Sequence, residues 1–316
     1  MACPKTWKSY SEQLDLLKSR GMNISDKGKA LEYLERIGYY RLSGYWYPFR
    51  EHVQTTRPTP PQRLDTFKQG TYFSQIVELY VFDKQLRLLL IDALERIEIA
   101  LRADIVFLLG KYDPFVYLHP QFFSNTISTP SELETHTKWL KWLTIHTRSI
   151  DASGEECIKH YKSVYGLPLP IWVACEVWDF GTLSVLFSIM RKDDQEEISK
   201  KYDVLDGKTF ASWLYSLNYL RNVCAHHNRL WNRNIHVQPK LPHRGQVLLT
   251  DTFIGDAHKQ ARVYLLICIC RHFMGKINPS STWWERLKRH LLDNFPQIDH
   301  LGISVSDMGT IIDWDK

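Results

Sequence analysis

The feature that most constrains the fold is the stretch from Tyr72 to about Leu109, which contains no proline and no glycine. Apolar residues recur along it at the spacing of one helix face: Ile76, Tyr80, Leu90, Leu94, Ile97 and Leu101. Proline and glycine are the residues that most often end or weaken a helix, and neither interrupts this pattern. The stretch therefore predicts one long helix.

Two charged pairs interrupt the apolar pattern of this helix. Asp83 stands four residues before Arg87, and Glu98 stands four residues before Arg102. Side chains at this spacing meet on a helix surface, where oppositely charged pairs are usually solvated or structural.

Other segments with a helical period predict that further helices surround the long one. They span residues 9–21, 25–40, 134–150, 207–227, 256–275 and 280–295. Neither a convincing set of alternating strands nor a repeat of fixed period is present. The chain is therefore predicted to be an all-α bundle with an N-terminal helical extension.

Proline-rich sequence suggests where the chain divides. Residues 1–60 are predicted to form an N-terminal helical head, in which residues 39–50 are rich in aromatic and basic side chains. Residues 55–63, TTRPTPPQR, are interpreted as a linker. The remaining residues, 61–316, are predicted to form the main helical domain, with a polar insertion at about 113–168.

Composition favours a cytoplasmic protein. Hydrophobic residues make up 44% of the chain and charged residues 24%, which is close to the average of globular proteins. The N-terminus lacks the apolar stretch of a signal peptide, and no run approaches the roughly 20 apolar residues of a membrane span. The six cysteines are scattered, as is typical of reduced thiols, so no disulfide is expected.

A basic segment follows the predicted helix 207–227. No acidic residue occurs from Arg221 to Thr250, although the net charge of the whole chain is only +5. We call residues 221–244 the basic strip; its further cations are Arg229, Arg233, Lys240 and Arg244. Such clustering is typical of phosphate binding, as in RNA recognition. The alternative is a basic helix end that is favoured by the helix dipole alone.

The strip begins with residue types that can cleave RNA. The substrate supplies its own nucleophile, the 2′-hydroxyl, so cleavage needs proton transfer and charge neutralisation. A histidine can move the proton, an arginine can hold the phosphoryl oxygens, and Asn222 can orient either group. Arg221 and His226 stand about 140° apart on a straight helix. They converge only if the helix ends or a second chain contributes.

At these residues the chain resembles a known family. The segment RNVCAHHNRLWNR, residues 221–233, is similar to the Arg-x4-His motif of HEPN-domain ribonucleases. The same segment is similar in sequence to bacterial abortive-infection proteins of the Abi_2 type (AbiD/AbiF). Three further blocks resemble the same family: ALEYLERIGYYRLSGYWYPFR, FDKQLRLLLIDALERIEIALR and LPLPIWVACEVWDFGTLS. These blocks stand in order, and the resemblance covers most of residues 5–235.

The resemblance implies a HEPN-type helical fold, metal-independent endoribonuclease activity and a toxin that defends against phage. It places Arg221 and His226 in the catalytic positions and Asn222 in the polar one. His227 also fits a looser spacing, which leaves open which of the two imidazoles is catalytic.

Three further features follow from the same resemblance. Glu98 and Arg102 resemble a supporting acidic and basic pair on an earlier core helix, with a purely structural salt bridge as the alternative. RNA is the implied substrate, and a structured noncoding RNA is an additional implied partner. HEPN nucleases usually combine two motifs and this chain has one, so a homodimer is expected.

Other hypotheses remain beside the nuclease. One is an RNA-binding protein without strong catalysis, in which the aromatic head stacks on unpaired bases and the basic strip follows the backbone. In the nuclease hypothesis too, RNA is bound by the strip and by the head, through Arg41, Tyr45, Trp46 and Arg50. Helix packing is the alternative role for these aromatic residues, and for Tyr40 and Tyr47. A structural scaffold is a third hypothesis, but it explains neither the strip nor the motif.

Cofactor chemistry has little support in the sequence. Cys268 and His272 have a spacing seen in metal sites, yet no second ligand pair lies nearby. The chain also lacks a glycine-rich phosphate loop and a Gly-x-Ser-x-Gly elbow. We therefore expect neither a metal nor another cofactor.

Overall fold

The computed structural model describes residues 6–53, 62–123, 129–311 and 314, and it confirms the all-α prediction. The α-helices of the described residues are α1 (Tyr10–Ser19), α2 (Lys27–Ile37), α3 (Tyr39–Trp46), α4 (Phe73–Gly110), α5 (Pro130–Ala152), α6 (Glu156–Tyr165), α7 (Ile171–Ala174), α8 (Phe180–Ile189), α9 (Lys192–Lys201), α10 (Gly207–Ala225), α11 (Leu248–Asp251), α12 (Ala257–Gln260), α13 (Val263–Ile277) and α14 (Trp283–Asp293). Short 3-10 helices are Tyr47–Phe49, Val116–Leu118, Pro120–Phe122, Cys175–Val177, Asp299–Leu301 and Val305–Met308.

Helix α4 is the central element, and its predicted extent is confirmed. It runs without a break for 38 residues, which corresponds to about 57 Å. Helices α3, α8, α10, α13 and α14 all pack against it. The buried side chains of α4 include Ile76, Leu90, Leu94, Ile97 and Leu101, all of which belong to the predicted apolar stripe. Helix α4 therefore lies at the centre of the core, and helices from the N-terminal and C-terminal parts of the chain pack against it.

Helix α10 carries the start of the basic strip and packs against both α4 and α8. It begins after Asp206, whose carboxylate accepts hydrogen bonds from the backbone amides of Lys208 and Thr209. This N-terminal cap offsets the unpaired amides of the first turn. The buried face of the helix includes Trp213, Leu217, Leu220 and Cys224. The end of α10 is therefore fixed by its packing on α4.

A small hairpin lies where the sequence predicted no strand. Strand β1 (Arg50–Val53) pairs in antiparallel fashion with β2 (Gln62–Phe67). The strands are short and β1 is largely exposed, so they carry no alternating apolar pattern. Most of the predicted linker, residues 55–63, lies outside the described residues. The strands come from either side of the predicted boundary after residue 60, and the division into two domains stays a prediction.

The region predicted as an insertion contributes two helices, α5 and α6. The prediction for residues 134–150 is confirmed, and α5 starts four residues earlier because Thr129 caps it. The indole of Trp142 donates to the Thr182 carbonyl at 3.0 Å, and the indole of Trp178 donates to Nδ1 of His146 at 2.8 Å. Burial lowers the pKa of His146 to about 4. These contacts attach α5 to the core beside α8.

The C-terminal part contains one further correction. The sequence predicted a single helix over residues 256–275, but α12 and α13 are separated at Ala261 and Arg262. The Ala261 carbonyl accepts from the Ile235 amide at 2.9 Å, and Arg262 donates to the Asn232 carbonyl at 2.8 Å. The two residues at the break therefore form hydrogen bonds with the backbone of the basic strip.

The described cysteines, which are Cys157, Cys175, Cys224, Cys268 and Cys270, are free thiols. Within the part of the chain that the structure describes, no helix has both the length and the apolar character needed to cross a membrane.

Candidate active site

The end of α10 forms a compact turn that presents two histidines. His226 is the residue at which the helix ends, and His227 has a left-handed backbone with φ of +56°. The amide of His227 donates to the Cys224 carbonyl and the amide of Asn228 donates to the Val223 carbonyl, both at 3.0 Å. This pattern is a Schellman motif, which usually has glycine at the left-handed position.

This turn ends the helix two residues before the predicted end at residue 227. A left-handed backbone costs a residue other than glycine roughly 1–2 kcal/mol, although histidine tolerates it better than most. His226 and His227 are both exposed. α10 ends at Ala225, but the amide of His226 still donates to the Asn222 carbonyl at 3.0 Å, so His226 keeps nearly its helical position relative to Arg221. Their convergence stays a prediction.

A buried carboxylate holds the chain that follows this turn. Asp83 on α4 has no exposed surface, and its Oδ1 accepts from the Trp231 amide at 2.8 Å. Its Oδ2 accepts from the Leu230 amide at 3.0 Å and from the Tyr45 hydroxyl at 2.7 Å. Arg87, also buried, donates to the same oxygen at 2.5 Å. We call Asp83, Arg87 and Tyr45 the buried anchor.

The buried anchor joins three elements of the fold. Arg87 also donates to the Asn228 carbonyl at 3.2 Å, so α4 holds the turn on both sides of Arg229. Burial disfavours the charges of Asp83 and Arg87, and their mutual attraction opposes that cost. The sequence did show that Asp83 stands four residues before Arg87 on a largely apolar helix. Its role in positioning the strip was not predicted.

The same geometry corrects the prediction for two aromatic residues. Tyr45 and Trp46 were expected to stack on RNA bases, but they are 1% and 0% exposed. The Tyr45 hydroxyl belongs to the buried anchor, and the Trp46 ring packs edge-on against Tyr39 at 4.8 Å and Phe67 at 6.4 Å. These two side chains form core contacts, whereas Tyr40 and Tyr47 remain exposed.

Arg221 lies in a groove of about 370 Å³ between α4 and α10. The groove also contains Glu98, Arg102 and Ala225, so the predicted supporting pair does meet the predicted catalytic arginine. Arg221 donates to the Asn222 amide oxygen at 3.4 Å. Among the described residues no hydrogen bond or ion pair joins Arg221 to His226.

Glu98 and Arg102 form a partly buried ion pair in this groove. The closest N–O distance between them is 3.3 Å, and Arg102 also donates to the Trp178 carbonyl at 2.7 Å. Burial raises the pKa of Glu98, while the positive charges of Arg102 and Arg221 oppose that rise. The carboxylate is therefore positioned to balance the charge of Arg221.

The cations of the basic strip differ in their surroundings. Arg229 is half-buried and donates to the Gly44 carbonyl on α3, and Nε of Arg233 donates to the Tyr219 hydroxyl at 2.9 Å. Lys240 and Arg244 are exposed. The strip therefore combines two arginines that make tertiary contacts with two cations that face solvent.

The two arginines of the head that were predicted to bind RNA also make contacts within the protein. Arg41 is exposed and donates to the His227 carbonyl at 2.5 Å, which places it at the end of α10. Arg50 pairs with Asp65 at 3.0 Å across the hairpin. Arg41 thus adjoins the candidate site, whereas Arg50 is paired within the hairpin.

Cys268 and His272 lie in different surroundings. Cys268 is buried, and burial raises the pKa of its thiol to about 12. Nε2 of His272 meets the Tyr202 carbonyl at 2.6 Å. In the described ranges, no three His, Cys, Asp or Glu side chains converge in a way that could hold a metal ion.

Comparison with known proteins gives one match. The model of the Abi_2 family, described as Abi-like protein, matches residues 32–232. The matched part contains α4, α10 and the turn with His226 and His227. Comparison with curated proteins and with solved structures gave no significant match. Because the family match covers more than half of the 316 residues, this chain belongs to the Abi-like family.

Proposed function

We propose that this Abi-like protein is a metal-independent endoribonuclease of the HEPN type that acts in abortive infection. One observation carries the proposal: Arg221 lies in a groove on the helix whose end exposes His226 and His227, inside a segment without acids. An arginine, an imidazole and a surface for phosphate are the groups that RNA cleavage requires. The name of the family supplies the link to abortive infection.

The proposed reaction uses the substrate's own nucleophile. The 2′-oxygen loses its proton and bonds to the adjacent phosphorus, the bond to the 5′-oxygen breaks, and that oxygen takes up a proton. His226 moves a proton, and Arg221 donates to the phosphoryl oxygens on which negative charge builds up. Asn222 orients one of these groups. His227 is the alternative imidazole, because it follows in the same turn.

Glu98 and Arg102 act as positioning residues in this proposal. Arg102 donates to the Trp178 carbonyl and pairs with Glu98, and both side chains line the same groove as Arg221. The positive charge of Arg221 acts on the Glu98 carboxylate, which attracts the guanidinium to this side of the groove. The pair therefore keeps Arg221 in place rather than reacting itself.

We further propose that the active form is a homodimer. A single copy supplies only one Arg-x4-His motif. The groove is flanked by exposed apolar side chains on α4. Leu88 is 53% exposed, and Ile99, which lines the groove, is 55% exposed. Covering such residues with a second copy would bury apolar surface and bring two motifs to one groove. An RNA phosphate between them would offset the repulsion of like charges.

The second candidate function is RNA binding without strong catalysis, as in a complex with a structured noncoding RNA. The exposed Lys240, Arg244 and Arg41 support it, because phosphate contacts do not depend on proton transfer. In both cases the partner is RNA, and we place the activity in the cytoplasm, where cellular RNA is found.

The deciding experiment compares His226→Ala with the native chain and with His160→Ala, a change at an exposed histidine on α6. His226→Ala is expected to slow RNA cleavage by at least about 10²-fold while RNA affinity stays nearly unchanged. Cleavage should continue in EDTA and leave 2′,3′-cyclic phosphate ends, and a 2′-deoxy substitution at the scissile position should block it.

Three outcomes would contradict the nuclease. They are cleavage that stops with chelation and returns with zinc, cleavage that persists in His226→Ala and His227→Gly alike, and equal loss of binding and cleavage. RNA binding with no cleavage by the native chain would support the second candidate.

A further inference from the structure

A cleft separate from the Arg221 groove lies between α1 and the start of α3. Its volume is about 930 Å³, and its lining includes Trp7, Lys8, Tyr10, Tyr39, Tyr40 and Arg41. The side chains of Trp7 and Tyr40 are 85% and 73% exposed, far more than large aromatic residues that serve as core. The cleft therefore offers accessible ring faces next to positive charges.

The aromatic side chains are held by the junction of two helices. Gly38 has φ of +92° and ends α2, which allows α3 to start at once with Tyr39 and Tyr40. The Tyr39 ring is fixed edge-on against Trp46, and Tyr40 meets Tyr39 edge-on with ring centres 5.8 Å apart. Because Tyr40 is 73% exposed, most of its ring surface remains accessible to a flat ligand.

The charges of the cleft favour an anion. Arg20 is already paired with Asp65 at 2.9 Å and donates to the Tyr39 hydroxyl, so it is largely compensated. Lys8 and Arg41 provide the remaining positive charge. Arg41 also donates to the His227 carbonyl, which places this side of the cleft next to the end of α10.

We propose that this cleft binds unpaired bases of RNA by stacking them on Tyr40 and Trp7, while Lys8 and Arg41 contact the adjoining phosphates. The proposal rests on the proposed function, because it assigns the cleft to the RNA substrate of the nuclease site. Aromatic rings beside cations are the arrangement with which proteins bind single-stranded nucleic acid without base specificity. The substrate class is accordingly single-stranded RNA next to the scissile phosphate.

The test uses Tyr40→Ala and Trp7→Ala in the His226→Ala background, so that RNA stays intact during equilibrium binding. The matched control is Tyr165→Ala on α6, which removes an aromatic ring that is 70% exposed and lies outside the cleft lining. Fluorescence anisotropy with a labelled oligouridylate should show at least about fivefold weaker binding for each cleft variant, and no change for the control.

An abasic oligonucleotide of the same length separates base stacking from phosphate binding. It should bind the native cleft and both cleft variants with nearly equal affinity, since it has phosphates but no rings. Photocrosslinking of thiouridine-substituted RNA should label the peptides that contain Trp7 or Tyr40 in the His226→Ala protein. A fold defect would lower all affinities, including that for the abasic probe, so unchanged abasic binding confirms that the variants are folded.

The inference fails if the cleft variants bind oligouridylate as well as Tyr165→Ala does, or if crosslinks map only to other segments. It also fails if the abasic probe loses affinity in parallel while the variants keep the native thermal midpoint, or if an unstructured peptide competes for the cleft better than RNA does. Base-dependent binding by a protein that never cleaves RNA would leave the inference standing and reject the proposed nuclease.

Discussion

Replacement of Asp83 by alanine should destabilise the protein more than the loss of any exposed ion pair. Asp83 is fully buried and accepts hydrogen bonds from Arg87, Tyr45 and the amides of Leu230 and Trp231. Asp83→Ala leaves the Arg87 charge buried without its partner and two backbone amides without an acceptor.

The magnitude follows from the groups that lose their partners. Removing one member of a buried ion pair costs about 3–5 kcal/mol, and a buried donor without an acceptor costs about 1–3 kcal/mol. These costs belong to one network and do not add fully, so we expect a loss of at least about 3–5 kcal/mol. For a chain of this length, that lowers the thermal midpoint by about 5–8 °C.

Thermal unfolding followed by circular dichroism provides the assay. The matched control is Glu32→Ala, which removes an exposed pair with Arg36 at the same four-residue spacing and should cost less than about 0.5 kcal/mol. In the double variant Asp83→Ala/Arg87→Ala the uncompensated charge is absent, so its loss should be smaller than the sum of the single losses. A midpoint for Asp83→Ala within about 1 °C of the control would refute the buried anchor.

Three other predictions concern the candidate site. Mixing Arg221→Ala with His226→Ala protein should restore part of the RNA cleavage if two copies share one site, and specific activity should fall on dilution; a monomer in sedimentation at concentrations with full activity would contradict this. Lys240→Ala should weaken RNA binding for all sequences and lower the slope of log affinity against log salt by up to about one unit, and an unchanged slope would argue against a phosphate contact. His227→Gly should leave the thermal midpoint unchanged or slightly higher, since glycine suits φ of +56°, so a loss of cleavage in this variant would identify His227 rather than His226 as the catalytic imidazole.

The sequence was most informative where structure is local. Apolar periodicity located α4 to within one residue at each end, because a helix records its buried face at a fixed spacing along the chain. The same reasoning predicted a helix over residues 207–227, where α10 lies, and the motif blocks identified the family. An acid-free segment could also be found by inspection, and it coincides with the end of α10.

Periodicity alone left open which side chains would be covered by other elements. Tyr45 and Trp46 have the composition of a base-stacking surface, yet α4 and the hairpin bury them, while the neighbouring Tyr40 stays exposed. The break between α12 and α13 depends on a hydrogen bond from Ile235, which lies 26 positions before Ala261 in the chain. Such contacts join residues that no local pattern relates.

The sequence by itself determined the all-α fold, the extent of the central helix and the residues of the motif, since these depend on neighbours along one helix. Only the tertiary structure decided that Glu98 and Arg102 share one groove with Arg221. It also decided that Asp83 accepts hydrogen bonds from the backbone of the segment after His227. Those arrangements depend on how α4 and α10 pack, because packing sets which hydrogen-bonding groups lose water and must find partners inside the protein.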